Sequence, residues 1–341
     1  MGGAGTFAVV GARLVGGRDF ARQIGWVVHA GRDFPPKARE EIDSWNVNTK
    51  YTNVPDRATT RARNVYSGDF RNFEFLTPKT HVDHTMLGAE FLQAKVFHII
   101  GTPERCISLV EGIQFHRNAI EQHHVLEHTH EKPMFVWEPM EHSCAPENLL
   151  QFRRAMKLID VFSPNEDEFA KLIGYQLATS DILPPHIMDH WCLELIGDCE
   201  LQALVVRLGA RGAHVRTKEQ RGRIIPAFYS SRIAEENPKV VDVTGGGNAF
   251  LGAYCLVLAE SLNALGHIPD HYSLHGKAVL IGNVAASFIV EQVGMPKLDV
   301  GRPYEYSEQW NGESVAQRVS KYINLLSEQI SGSASSIKLD E

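Results

Sequence analysis

The chain has 341 residues, 43% of them hydrophobic and 22% charged, with a net charge of −7. That length allows one large domain or two ordinary ones with a sizeable core. The negative balance argues against a broad basic surface for nucleic acid or anionic lipid, although Arg57, Arg61 and Arg63 form a local basic patch.

Five scattered cysteines, Cys106, Cys144, Cys192, Cys199 and Cys255, include no CxxC pair. Neither a zinc site nor a disulfide frame is indicated, which favours a reducing compartment and a cytoplasmic location. The N-terminus lacks the basic region of a signal peptide, and no apolar run reaches membrane-spanning length. The last four residues, Lys338 to Glu341, are not an ER-retention signal.

Short apolar runs predict strands at 24–28, 96–100, 134–137, 161–163, 204–208, 213–216 and 224–228, several of them continuous enough to be buried on both faces. Segment 46–78 alternates polar with aromatic or aliphatic residues and predicts a β-ribbon or loop. Helices are predicted at 147–159, after Pro146, at 166–173, ending at Gly174, and at 249–262 and 279–290. Segments 176–190 and 263–277 read as surface connectors. The Ser-rich end, 331–341, reads as disordered. Alternating strands and helices predict a mostly parallel sheet covered on both faces.

The most informative segment is Asp242-Val243-Thr244-Gly245-Gly246-Gly247-Asn248. It follows an expected strand, 240–242, and precedes an apolar helix. Consecutive glycines let backbone N–H groups converge on an anion, and the helix N-terminus adds partial positive charge. An ordinary glycine-rich strand-to-helix turn is the competing explanation of the glycines alone.

Taken to Phe250, this segment resembles the second signature of the pfkB carbohydrate kinase family, D-T-x-G-A-G-D-x-F. Three further stretches resemble that family in its order along the chain. They are Gly2-Gly3-Ala4-Gly5-Thr6-Phe7-Ala8, 160–168 with Asn165-Glu166-Asp167-Glu168 as its N-x-x-E motif, and 205–213 with its glycine loop. The chain looks like a divergent fungal branch linked to maintenance of a killer virus. The resemblance implies a ribokinase-like three-layer α/β fold, a single domain over 1–330, with 46–78 as a partial β lid.

It also implies roles. Gly245, Gly246 and Gly247, with Thr244, would hold the ATP γ-phosphate. Asn165 and Glu168 would hold water and Mg²⁺, and Gly209 and Gly212 would line the nucleotide site. Gly2 and Gly3 would touch a small alcohol, a sugar or nucleoside. Asp242 would support the turn or a monovalent-cation site. The implied reaction is γ-phosphoryl transfer from ATP.

Three departures stand out. The family's catalytic aspartate is Asn248 here, and a neutral amide cannot usefully accept a proton at pH 7. A nucleotide-binding pseudokinase, serving as a scaffold or regulatory module, is therefore the alternative function. The Gly-Gly signature sits at residues 2 and 3, so an upstream strand is expected before Met1. Phe7 replaces a substrate-binding asparagine, which favours a less polar acceptor or none.

Other residues keep two readings. Asn165 and Glu168 also fit a helix-capping box. Asn248 also suits a helix N-cap. Arg207 is placed to reach phosphate or simply to be solvated. Glu138 ends a strand at the sheet edge where such folds bind ligands, so it is a substrate-pocket candidate. His123, His124, His128 and His130 cluster without a H-E-x-x-H arrangement, which weakens a metal reading. Nothing in the sequence names a protein partner.

Overall fold

The computed structural model describes residues 1–67, 70–122, 132–178, 181–230, 239–260, 265–301 and 308–336. The chain forms two compact units, one of Met1–Gly17, Lys95–Glu111 and His130–Glu341, the other of Arg18–Ala94 and Gly112–Thr129. Helix α1 (Ala4–Ala21) leaves helical geometry at Gly17, with φ 56° and ψ −159°, where the first segment of the first unit ends.

In the smaller unit, β1 (Gly25–Gly31) is followed by α2 (Pro36–Ser44) and β2 (Asn48–Val54). The two strands pair in parallel, from Gly25 opposite Asn48 to Gly31 opposite Val54. Parallel neighbours need a crossover, and α2 supplies it. The ribbon expected over 46–78 is therefore two different things. Its first part is the parallel partner of β1; only β3 (Ala62–Ser67) and β4 (Phe70–Phe75) form an antiparallel hairpin. Helix α3 (Ala89–Leu92) closes this stretch.

The larger unit is built on one six-stranded sheet. Its strands are β5 (Val96–Gly101), β6 (Met134–Pro139), β7 (Val161–Phe162), β8 (Ala203–Arg207), β9 (Ala213–Thr217) and β10 (Arg223–Ile225), in spatial order 10-9-8-7-6-5. The first four run parallel; β9 and β10 are antiparallel additions at one edge. These are the strands predicted from continuous apolar runs, and their burial explains the runs. Trp137, Phe152 and Phe162 meet at ring separations of 5.0 to 6.0 Å, and Trp137 Nε1 donates to the Gly101 carbonyl at 2.9 Å. The buried indole N–H is thereby satisfied.

Between the strands lie α4 (Pro103–Gln122), α5 (Leu149–Met156), α6 (Glu166–Leu172) and α7 (Pro185–Cys199). Then come α8 (Gly246–Ala259) and α9 (Leu274–Ile289), which are apolar on nearly every face and buried. A short antiparallel pair, β11 (Leu298–Asp299) and β12 (Gln309–Trp310), leads to α10 (Val315–Ser336). The backbone of 331–336 is thus helical, and 337–341 lie outside the described residues.

Two connectors expected over 176–190 and 263–277 are shorter than that. Helix α7 starts at Pro185, whose fixed φ suits a first helical position, and α9 starts after Ser273, which caps the Gly276 amide. The strand expected at 240–242 does not form. The Val241 and Asp242 amides instead both donate to the Val290 carbonyl, at 2.7 and 3.2 Å. All five cysteines are free and buried. Among the described residues no helix is long and apolar enough to cross a membrane.

Helices α1 and α8 touch backbone to backbone. A β-carbon on Gly11 would overlap the Ala249 carbonyl, and one on Gly252 would overlap the Ala8 carbonyl. Gly252→Ala should therefore destabilise the protein by about 1–3 kcal/mol or more, as overpacking does. Gly197, exposed in α7, has nothing within 4 Å of a β-carbon position. Gly197→Ala should stabilise by about 0.5–1 kcal/mol. Urea unfolding of the two variants checks both signs.

Candidate phosphate and nucleotide site

The glycine turn forms where the chain leaves Val290 and enters α8. Asp242 Oδ1 accepts the Thr244 amide at 2.9 Å, closing the loop on itself, and Gly245 takes a left-handed conformation, φ 84°, as the N-cap residue of α8. A glycine is required at that φ. The Gly246 amide donates to Val243 and the Ala249 amide to Gly245. Among the described residues no backbone acceptor takes the amides of Gly247 and Asn248. These free donors sit at the positive end of a 14-residue helix, a ready site for an anion.

Phe7 fixes the turn from below. Its ring occupies the space that a Gly245 β-carbon would need, and it is only 4% exposed. Phe7 is therefore a packing residue in this structure, rather than an apolar surface offered to an acceptor. Gly2 and Gly3 lead into α1 beside it: Gly2 accepts from Thr6 Oγ1 at 2.9 Å, and Gly3, with φ 102°, accepts the Phe7 amide at 3.1 Å.

Above the turn stands a buried charge network. Glu138, at the end of β6, accepts from Arg207 Nη1 at 2.7 Å. The Asn248 amide nitrogen donates to both Glu138 oxygens, at 3.1 and 3.0 Å. His98 Nε2 stands 3.3 Å from Glu138 Oε2 without hydrogen-bond alignment. Arg207 Nη2 donates to the Ser163 carbonyl at 3.2 Å and lies 3.5 Å from Glu168 Oε2. The guanidinium also lies against Gly247, where a β-carbon would come 2.6 Å from Nη1. Its Nε is buried with no hydrogen-bond partner.

The two carboxylates shift in opposite directions. Burial pushes Glu138 up, but Arg207 and then His98 outweigh it and hold the group at about 2. Burial raises Glu168 to about 7, although Arg207 and the Asn165 amide pull it down. Glu168 sits in a complete capping box. Asn165 Oδ1 accepts the Glu168 amide at 2.8 Å, and Glu168 Oε2 accepts the Asn165 amide at 2.7 Å.

The second glycine loop, after β8, closes as a tight turn. Gly209 has φ 58° and open space around it; Gly212 has φ 92°, and a β-carbon there would overlap the Ile225 carbonyl. Gly212 thus admits β10 and its continuation to Pro226.

The structure brings Asp242, Thr244, Gly245, Gly246, Gly247, Asn248, Arg207, Glu138, Asn165 and Glu168 into one connected neighbourhood. Arg207 belongs there because its amide bonds to Pro164 and its backbone bridges Asn165, across from the capping box. The sequence reading missed His98 and Ser163. A histidine inside the apolar run Val96-Phe97-His98-Ile99-Ile100 was the available signal. The histidines at 123, 124, 128 and 130 lie outside the described residues.

Among the described residues no group of three or more His, Cys, Asp or Glu is placed to hold a metal alone. A magnesium ion shared with phosphates needs only one or two protein carboxylates. Glu168, beside Arg207, meets the lower end of that requirement, whereas both Glu138 oxygens are taken by Asn248 and Arg207.

The sequence profile of the pfkB family carbohydrate kinases matches residues 1–297. An uncharacterized protein of Schizosaccharomyces pombe is 32% identical, over 99% of this chain and 89% of its own length. The protein MAK32 of Saccharomyces cerevisiae is 29% identical, over 95% and 85%. Among solved structures, ribokinase from Giardia lamblia superposes with a TM-score of 0.60 at 19% identity, over 86% of this chain and 84% of that one. A putative ribokinase II from E. coli in complex with ATP and Mg²⁺ gives 0.59 at 15%, over 95% and 88%. The fold is ribokinase-like, with a mostly parallel central sheet.

Glu168→Gln separates capping from charge, because glutamine can still accept the Asn165 amide. A carboxyl raised from its ordinary 4.5 to about 7 contributes stability that is present below pH 4.5 and lost as pH rises through 7. Wild type should lose stability across that window, and Glu168→Gln should lose less. Chemical unfolding at pH 4.5, 6 and 8 measures the difference.

Proposed function

The chain belongs to the pfkB family of carbohydrate kinases, and we propose that it binds Mg-ATP at the glycine turn and transfers the γ-phosphoryl group, slowly, to a small alcohol such as a sugar or nucleoside. The observation that carries this reading is the turn itself: two free amides at the N-terminus of α8, with the Arg207 guanidinium against Gly247. Backbone donors fixed before the ligand arrives stabilise transferring charge without reorganisation.

In this reading Gly245, Gly246 and Gly247 hold the γ-phosphate, with Thr244 beside them. Arg207 is the neighbouring cation. Gly209 and Gly212 line the nucleotide, Gly2 and Gly3 lie toward the acceptor, and Asp242 braces the turn or a monovalent cation. Mg²⁺ neutralises phosphate charge, held by Glu168 and by waters on Asn165. The buried free cysteines agree with a reducing, cytoplasmic setting.

Proton transfer is the weak step. Asn248 donates to Glu138 and has no proton-accepting role. Glu138 is the carboxylate beside it, ionised at neutral pH but held at about 2, so it is a poor base that can orient a hydroxyl. Phosphoryl transfer depends chiefly on positioning and electrostatics, so a slow reaction survives. Loss of an efficient base costs about 10²–10⁴ in rate.

The second reading, a nucleotide-binding pseudokinase, is favoured by the same bond. With both oxygens engaged by Asn248 and one by Arg207, Glu138 has little freedom to meet an acceptor.

Mg-ADP should raise the melting temperature; at a hundredfold excess over Kd the stabilisation is about 2.7 kcal/mol. No shift at millimolar nucleotide in a folded sample would sink both readings.

An acceptor screen on four proteins then separates them. Glu138→Gln should abolish residual transfer. Asn248→Asp alone should gain little, because it sets two carboxylates about 3 Å apart, a pair that cannot both ionise cheaply. Asn248→Asp combined with Glu138→Gln should raise transfer by about 10–10³ over wild type. If Glu138→Gln matches wild type, the base lies elsewhere. If none of the four transfers phosphate while Mg-ADP still shifts melting, the pseudokinase reading stands.

A further inference from the structure

A second cluster of cations lies far from the glycine turn within the larger unit. Between the start of α7 and the turn joining β9 to β10 is a groove of about 540 Å³. Pro185, His186, Asp189, His214, Arg221 and Arg223 contribute to its walls. The pairing of β9 with β8 fixes its place. Ala213 lies opposite Arg207, and Thr217 lies opposite Ala203. The turn after Thr217 is therefore at the end of the sheet opposite Gly209 and Gly212. Five strand residues separate the ends, about 15 Å.

The groove has a surplus of positive charge inside an acidic protein. Asp189 is its one carboxylate, and it is already engaged. Oδ1 accepts from Arg216 Nη1 at 2.5 Å and from the Gly222 amide at 3.1 Å, with His214 Nε2 at 3.6 Å. Arg221 Nε also lies 3.9 Å from Asp189 Oδ2, and Arg216 bonds Asp189 without lining the groove, so the walls hold two guanidiniums against one carboxylate, a net charge of about +1. On the turn itself, Lys218 and Glu219 cancel. Among the described residues no carboxylate pairs with Arg223. Its guanidinium lies 4.3 Å from the Tyr272 ring centre, and Nη2 is buried without a hydrogen-bond partner. Nη2 also sits 2.9 Å from the β-carbon position of Gly276, in the first turn of α9, where the helix end is itself positive.

The start of α7 adds a third source. Its N-cap residue is Pro184, no side chain caps it, and no acidic residue occupies its first turn. Pro185 has no N–H, and the Ile187 and Met188 amides both donate to the Pro184 carbonyl at 3.0 Å, so of the first amides that of His186 is the one left available to an anion among the described residues. Two guanidiniums and a 15-residue helix N-terminus thus border one cavity. A cavity of this volume takes an organic body as well as an oxyanion, and Pro185 and the exposed Ile224 offer it apolar wall.

We propose that this groove is a binding site for a small organic phosphate monoester, of the sugar-phosphate class, separate from the nucleotide turn. Arg221 and Arg223 hold the phosphate, the His186 amide at the α7 N-terminus adds one donor, and the organic part lies along Pro185 and Ile224. The site does not depend on the chain being an active kinase.

Glucose 6-phosphate is a suitable probe, titrated calorimetrically into the full chain saturated with Mg-ADP. One molecule should bind, at least tenfold tighter than inorganic phosphate or glucose. Hydrogen–deuterium exchange should slow over 185–190 and 218–224. Arg221→Ala, at an exposed position, should weaken binding about tenfold, and Arg223→Gln by more, while the melting shift caused by Mg-ADP is unchanged in Arg221→Ala. Arg207→Gln should leave sugar-phosphate affinity as it was. Absence of binding at millimolar probe overturns the proposal. So does binding that survives Arg221→Ala but falls with Arg207→Gln, since that puts the ligand at the glycine turn.

Discussion

The contact between α1 and α8 governs the position of everything at the glycine turn. Gly11 faces Ala249 and Gly252 faces Ala8 with no room for a side-chain atom on either glycine. Two helices that meet through backbone have little freedom to slide or rotate, because interiors packed at that density have no slack. The turn is the N-terminus of one of these helices, and Phe7, on the other, fills the space beneath Gly245. The free amides of Gly247 and Asn248 are thus held by the core rather than by the loop that carries them. That is the arrangement a preorganised anion site requires.

Arg207 is the second organising element. One guanidinium reaches Glu138, Ser163 and the edge of Glu168, and it lies on Gly247. A single cation cannot fully compensate two buried carboxylates, and the two separate accordingly. Glu138, with the shorter contact and with His98 nearby, is held at about 2, whereas Glu168 is raised to about 7. The network has one negative charge more than it can hold cheaply in the absence of a further cation. Asn248 fits this setting better than an aspartate would. Its amide supplies two donors to Glu138, where a carboxylate would bring a third negative charge. The substitution at 248 and the Glu138–Arg207 pair are therefore best understood together.

Much of this was legible in the chain. The strands of the central sheet follow from apolar runs at 96–100, 134–137 and 204–208, since a strand buried on both faces needs apolar residues at every position. The start of α6 follows from Asn165 and Glu168, whose spacing is that of a capping box, and both bonds of the box are present. The glycine turn was legible because three consecutive glycines before an apolar helix leave few alternatives. Other features were not. Helix α2 is short and mostly exposed, so its period was too weak to reveal the parallel pairing of β1 with β2. The strand expected at 240–242 reads well by composition, but its amides go to Val290, at the end of α9, and local sequence does not encode that partner.

What the sequence determined by itself is local and chemical. It specified the buried strands of the central sheet, the capped start of α6, the glycine turn before α8, and that residue 248 has no carboxylate. Those depend on side-chain type and on spacings of a few residues. Only the tertiary structure decided what surrounds residue 248. Glu138 lies 110 positions away, Arg207 41 and His98 150, and they meet because β5, β6 and β8 run parallel in one sheet. It likewise decided that Phe7 belongs to the core and that Arg221 and Arg223 share a groove with α7. Contacts between residues distant in sequence are set by which elements pack together, and that choice is made by the summed burial of the whole core rather than by any segment of it.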